Sequence, residues 1–263
     1  MSGLGWLIAP LFVPANRPER FIKAAASGAD AVILDLEDAV APDEKERARD
    51  NLRAVALDVP VIVRINGVDT PWHEGDCAAL KGLAIAAIML PKAERVEDLT
   101  GLSDLAPVLV LVETARGLAE ARAMAQSGFA ARLAFGSVDY AADLGCSHEP
   151  EALYAARAEL VLASRLGRLS PPIDGVTTEV AVPDIAFDDA RAARSLGFGG
   201  KLLIHPAQVQ PVLKAFCPSA EEIAWAQRVL DSGAGAVKVD GAMVDEPVRI
   251  RARSILTRSG ARP

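Results

Sequence analysis

The chain has 263 residues, 51% of them apolar, and carries a net charge of −7. That length fits one large α/β domain with a short extension, since a closed eight-stranded barrel takes roughly 250 residues. The acidic balance excludes a general attraction to nucleic acid or to an anionic membrane, so any anionic ligand needs a local basic group.

Apolar runs punctuate the chain, and eight of them read as strands. The run from Leu4 to Val13 follows no Lys or Arg and contains prolines, which predicts a first barrel strand and not a signal peptide. It ends at Pro14-Ala15-Asn16-Arg17, and a helix is expected from near Pro18, through residues 19–28. The second strand, Ala31 to Leu36, runs into Glu37-Asp38-Ala39-Val40. A helix then opens with acids before bases, from Asp43 to Arg49, the order the helix dipole favours. Strand three is Val61 to Ile65, with a polar loop after it. Strand four ends at Pro91-Lys92 and strand five at Glu113-Thr114. Strand six, Leu133 to Gly136, opens into Ser137-Val138-Asp139-Tyr140, ahead of a long helix from Pro150 to Leu166. Strands seven (Pro172 to Val176) and eight (Lys201 to Ile204) complete the count.

Runs nearly continuous in Val, Ile and Leu suit parallel strands covered on both faces. Alternation of such strands with helical stretches predicts an α/β fold, a (β/α)₈ TIM barrel whose polar strand ends face one mouth. The barrel is assigned to residues 1–217 and a C-terminal extension to residues 218–263. After a helix from Pro206 to Phe216, another begins near Ser219, where Ser219 and Glu222 have capping-box spacing. The Gly-rich segment Asp231 to Pro247 reads as a hairpin-like tail on the same domain, or as a lid over its own or a neighbouring subunit's mouth. Cys77, Cys146 and Cys217 lie far apart without metal-site spacing, which predicts reduced thiols. With no run long enough to span a bilayer, the expected location is the cytoplasm.

Glu113 and Asp139 end neighbouring strands. Two converging carboxylates with few other ligands suit Mg²⁺; the alternative is that each caps the following helix. Asp35, Glu37 and Asp38 crowd one strand end and repel one another unless a cation is near. Glu37 and Asp38 either accept hydrogen bonds from waters around the metal, or pair with Arg47 or Arg49. Arg64, in an apolar strand, is costly without an anion; it clamps a substrate oxygen or pairs outward with a helix acid. No histidine forms a recognisable nucleophile motif with a Ser or Cys, and no two have zinc spacing. His205 reads as a packed, hydrogen-bonded residue. No Gly-rich phosphate loop supports NAD or ATP chemistry.

In chain order, PANRPERF, DLEDAVAPDEKERAR, VRIN, LPKAE, VETARG, FGSVDYAADLG, KLLIHPAQV and VDGAMVDEP resemble the citrate lyase β-subunit-like family, which includes the malyl-CoA lyases, from about residue 9 to 250. The resemblance implies an Mg²⁺-dependent carbon–carbon lyase that cleaves or forms a β-hydroxyacyl-CoA from an acyl-CoA and a small 2-oxo acid such as glyoxylate or oxaloacetate. It implies Mg²⁺ on Glu113 and Asp139, Arg64 on the substrate oxygens, and a homotrimer or hexamer in which Asp245 reaches a neighbouring site as acid/base. Asn16, Arg17, Lys92, Gly136 and Ser137 are the candidate contacts to substrate or CoA. One departure is Val138, where several members of the family carry an acid. A metal-dependent pyruvate aldolase without CoA is the nearest rival, though such relatives tend to carry a histidine where this chain has Ala39-Val40 after Asp38. A malate synthase or thioesterase also competes, as does a non-catalytic barrel that binds CoA esters.

Overall fold

The computed structural model describes residues 4–233 and 235–260. It divides the chain into two compact units, Met1–Leu213 and Lys214–Pro263. In the first unit, eight parallel strands follow one another in chain order: β1 (Leu11–Pro14), β2 (Val32–Asp35), β3 (Val61–Arg64), β4 (Ala87–Leu90), β5 (Val108–Val112), β6 (Ala130–Phe135), β7 (Ile173–Asp174) and β8 (Gly200–Lys201). Backbone bonds from Lys201 to Ile8 (2.7 Å), Phe12 to Leu203 (2.8 Å) and Leu203 to Pro10 (3.0 Å) join the last strand to the first. The sheet is therefore closed, and the fold is the TIM barrel expected from the strand pattern.

Helices α1 (Phe21–Ala25), α2 (Lys45–Leu52), α3 (His73–Leu80), α4 (Ala115–Gln126), α5 (Ser137–Leu144), α6 (Pro150–Leu166), α7 (Pro183–Leu196) and α8 (Val209–Phe216) follow the strands. Between β4 and β5 there is only a 3₁₀ turn, Val96–Leu99. The segment runs into Gly101 at φ 78°, a left-handed backbone that ends a helix. The barrel interior is filled by Ile33, Ile62, Met89, Leu109, Leu111, Ala134 and Leu202, all buried. A closed barrel of this kind is a packed core, not a pore.

The first strand is shorter than the Leu4 to Val13 run. Residues Leu4–Trp6 form a 3₁₀ turn, and a buried arginine and a half-buried aspartate hold this stretch across the barrel base. Arg132, fully buried, donates from Nη1 to the carbonyls of Leu4 (2.7 Å) and Leu7 (2.6 Å). Asp30 accepts from the amides of Ile8 (2.6 Å) and Ala9 (2.9 Å). The helix expected over 19–28 is likewise a 3₁₀ turn, Pro18–Arg20, followed by the short α1.

In the second unit, α9 (Ala220–Asp231) starts with the expected capping box: Ser219 Oγ accepts from Glu222 N (3.1 Å), and Glu222 accepts from Ser219 N (2.8 Å). The segment Asp231 to Pro247 holds an antiparallel hairpin of β9 (Val237–Val239) and β10 (Ala242–Val244), followed by α10 (Glu246–Gly260). Ala226, Val229, Val244, Ala252 and Ile255 give this unit its own apolar core. Among the described residues, no helix is long and apolar enough to cross a membrane.

Candidate active site at the barrel mouth

The C-terminal strand ends surround a cavity of about 400 Å³. Its floor is apolar, formed by Phe12, Leu111, Phe135, Val176 and Leu202, and its polar wall comes from Asp35, Arg64, Glu113, Ser137 and Asp139. The polar groups arrive there because the parallel register sets strand ends side by side. Asp35 ends β2 directly opposite Arg64 at the end of β3.

That register produces a two-pronged ion pair: Arg64 Nε donates to Asp35 Oδ1 and Nη2 to Oδ2, both at 2.7 Å. Arg64 Nη1 lies 3.0 Å from Glu37 Oε2, and the guanidinium stacks 4.8 Å from the Phe12 ring centre. Burial alone would lower the Arg64 pKa, but Asp35, Glu37 and Glu113 together hold it well above its ordinary value. The arginine thus stays charged and faces the cavity with most of its donors engaged. Lys45, at the start of α2, braces the same strand ends by donating to the carbonyls of Leu36 (2.6 Å) and Glu37 (2.8 Å) and to Asn66 Oδ1 (2.7 Å).

Glu37 pairs with Arg64 and Lys92, and Lys92 also approaches Asp38 at 3.8 Å. Burial still raises the Glu37 pKa, outweighing those cations. The alternative pairing with Arg47 or Arg49 is not what forms: Arg47 meets Glu44 and Arg49 meets Asp76. Asp38 is exposed, since the strand has ended before it.

Glu113 follows β5 with 1% exposure. Its Oε1 accepts from the Lys92 amide at 2.9 Å, which is aimed by a left-handed Lys92 backbone at φ 51°. Its Oε2 is buried without a hydrogen-bond partner. Burial first, then Glu37, raises the carboxyl pKa well above its ordinary value. Asp139 lies in the first turn of α5, with no hydrogen-bond or ion-pair partner among the described residues. Neither acid caps a helix. Thr114 caps α4 by accepting from Gly117 N, and Gly136 holds the cap position of α5. Among the described residues, no three His, Cys, Asp or Glu side chains converge as a metal cluster, so the mouth offers a carboxylate pair with room for further oxygen ligands.

Gly136 makes this arrangement possible. A Cβ there would fall 2.3 Å from Glu113 Oε2 and 2.5 Å from its Cβ, closer than any real contact. Gly136→Ala is expected to displace Glu113, destabilise the barrel by about 1–3 kcal/mol and cut turnover about a hundredfold. Denaturant titration and steady-state assay check both effects, and a variant matching the wild type in both would show that Glu113 tolerates movement.

Of the remaining candidates, Gly136 and Ser137 line the cavity, whereas Asn16, Arg17 and Lys92 do not. Asn16 donates to Glu44 (2.6 Å), and Arg17 pairs with Glu19 on the surface (2.6 Å). Lys92 is engaged by carboxylates and not held for a phosphate. Asp245 belongs to the second unit, exposed just after β10, its carbonyl accepting from Arg249 N (3.1 Å). His205 is exposed, not packed, and accepts from Ala207 N (3.2 Å) in a 3₁₀ turn. Sequence reasoning missed His148, whose Nε2 lies 2.9 Å from Ser137 Oγ, because the two are 11 residues apart in no known motif. It also left Asp35 without a partner, although Asp35 and Arg64 share the last position of adjacent strands.

Comparison with known proteins agrees with this geometry. Residues 9–206 match the family described as HpcH/HpaI aldolase/citrate lyase. A citrate lyase subunit beta-like protein of Mycobacterium tuberculosis is 42% identical, over 98% of this chain and 96% of its own length. A (3S)-malyl-CoA thioesterase of Cereibacter sphaeroides is 34% identical, over 95% of this chain and 94% of its own. The crystal structure of the protein CitE from M. tuberculosis, in complex with magnesium, acetoacetate and coenzyme A, superposes with a TM-score of 0.87 at 39% identity, covering 96% of this chain and 98% of that one. The chain belongs to the HpcH/HpaI aldolase/citrate lyase family, a family of carbon–carbon lyases.

Proposed function

We propose that the barrel mouth is an Mg²⁺-dependent lyase site that cleaves or forms a β-hydroxyacyl-CoA, its two halves being an acyl-CoA and a small 2-oxo acid. The observation that carries this reading is the buried, partnerless Oε2 of Glu113 beside the partnerless Asp139. A carboxyl without a partner in a low-dielectric wall takes up a proton or is completed by a cation, and a second acid beside it favours the cation. All-oxygen donors of this kind fit Mg²⁺, which Glu113 and Asp139 would hold. Bound there, Mg²⁺ supplies a Lewis acid and a template for the oxygens of the oxo acid.

Arg64, pre-oriented by Asp35 and Glu37, adds fixed positive charge beside the oxygen on which charge develops as the C–C bond breaks. Glu37 and Asp38 stand behind the metal carboxylates, and Lys92 limits their mutual repulsion. The apolar floor excludes water around the acyl carbon. Asp245 is the acid/base for the β-hydroxyl, delivered to the mouth of a neighbouring subunit in a trimer or hexamer; its exposure leaves it free to do so. Asp245→Asn is expected to lower turnover about a hundredfold or more while leaving Mg²⁺ binding intact, and mixing it with Glu113→Gln protein should restore part of the activity. Calorimetry and assay of the mixture check this; no restoration would place the acid/base elsewhere.

A second reading is favoured by one relative: the C. sphaeroides protein of similar length is a malyl-CoA thioesterase. Malyl-CoA supplied as substrate separates the two. Cleavage gives acetyl-CoA and glyoxylate, whereas hydrolysis gives malate and free CoA, and mass spectrometry tells these apart. Absence of both product pairs, with other hydroxyacyl-CoA esters as well, would refute the proposal.

A further inference from the structure

Ser137 is the only hydroxyl among the described residues lining the cavity, and it is 1% exposed. Its Oγ lies 2.9 Å from His148 Nε2. On another side the backbone just after β7 presses against it: a Cβ on Gly175 would sit 2.1 Å from this oxygen. The hydroxyl is therefore held between an imidazole and the cavity. The other polar groups of the wall are three carboxylates, which only accept, and Arg64 and Arg20; Arg64 is committed to Asp35 and Glu37. That leaves Arg20 and the Ser137 hydroxyl as the side-chain donors for an anionic or keto oxygen entering here.

A serine hydroxyl has one proton to give, and a neutral imidazole has one nitrogen that donates and one that accepts. If His148 Nε2 accepts, the Ser137 proton is spent on it and only lone pairs face the cavity. If Nε2 carries the proton, Ser137 is free to donate inward. We propose that His148 is a positioning residue whose Nε2–H donates to Ser137 Oγ, turning the Ser137 hydroxyl into a fixed donor for a carboxylate or keto oxygen of the bound oxo acid. This rests on the reading above that the cavity takes a 2-oxo acid. Nothing opposes the required tautomer, since His148 Nδ1 makes no hydrogen bond among the described residues. Burial, then Arg157 on α6 and Lys201 on β8, hold the imidazole below its ordinary pKa, against Asp174 on β7 and Asp189 on α7. The ring is thus neutral, and its tautomer decides which way Ser137 points.

The test compares Ser137→Ala, His148→Leu and His148→Gln with the wild type in the condensation of acetyl-CoA with glyoxylate or pyruvate. A lost hydrogen bond to a charged oxygen is expected to raise the KM for the oxo acid about tenfold, by more than kcat falls, with the KM for acetyl-CoA unchanged. His148→Gln, whose amide also donates, is expected to recover most of the loss. The double variant Ser137→Ala/His148→Leu should be no worse than Ser137→Ala alone, because the two residues act as one relay. An unchanged KM in His148→Leu, or additive losses, overturns the proposal. If the wild type condenses nothing, the lyase reading fails instead, and the relay is read by ¹⁵N NMR of His148 during pyruvate titration. A wild-type His148 held as the Nε2–H tautomer with pyruvate bound supports it; the Nδ1–H tautomer there overturns it.

Discussion

Glu113→Gln is expected to raise the melting temperature of the metal-free protein above neutral pH while reducing Mg²⁺-dependent turnover by on the order of a hundredfold or more. The two effects share one cause. The Glu113 carboxyl is 1% exposed, and burial raises its pKa well above the ordinary 4.5, with Glu37 and Asp139 adding to the shift and Lys92 and Arg64 opposing it. A group whose folded pKa lies above its unfolded one contributes stability that is fully present below the unfolded value. That contribution is lost as pH rises through the folded value. Above the unfolded value the wild-type carboxyl must either hold a proton that the unfolded chain gives up or carry a charge that the fold disfavours, and the neutral glutamine meets neither cost. The stability gap should widen as pH climbs from about 4.5, which thermal denaturation in chelator across pH 5–9 can follow. The same substitution removes the anion on which the cation depends. A Gln variant that is less stable than the wild type at pH 8, or that turns over normally, would contradict this account of the mouth.

Arg64→Leu should have the largest effect on stability. It strands Asp35, 1% exposed, and Glu37, 6% exposed, beside one another without the guanidinium that joins them. Removing one partner of a buried ion pair costs about 3–5 kcal/mol because the remaining charge stays desolvated. Lys92 still reaches Glu37, but it does not reach Asp35, whose carboxylate keeps only the amides of Glu37 and Ala39. Adding Asp35→Asn to Arg64→Leu should recover part of the loss, since the uncompensated charge is then gone. Urea denaturation measures both. A loss under about 1 kcal/mol for the single variant would mean that the arginine is not the keystone of the strand-two carboxylates.

The barrel is legible in the sequence because eight apolar runs alternate with helical stretches, a pattern few other folds produce. The residues at the mouth are legible for the same reason: in a parallel barrel, strand ends and the turns just after them share one face, so Arg64, Glu113 and Asp139, the last in the first turn of α5 and not on the strand, fall together. Contacts between elements are not legible. Nothing local marks Lys92 as a partner of Glu37, or Asp35 as the partner of Arg64, until register sets the strands side by side. His148 lies beyond the end of α5, and only the fold of that loop returns its ring to Ser137. The base of the barrel is hidden because Leu4 to Val13 looks like one strand, while buried Arg132 and half-buried Asp30 claim its first half for a plug. Asp245 shows the opposite limit: resemblance singles it out, and its part in the reaction depends on a neighbouring copy.

The most direct measurement strips the protein with a chelator, supplies acetyl-CoA or propionyl-CoA with glyoxylate, pyruvate or oxaloacetate, and follows the acyl-CoA pool by mass before and after Mg²⁺ is added. A β-hydroxyacyl-CoA that forms only once Mg²⁺ is present, and not in Glu113→Gln, is the expected result. Product at the same rate in the stripped protein, or none from any pairing with Mg²⁺ restored, would contradict the account.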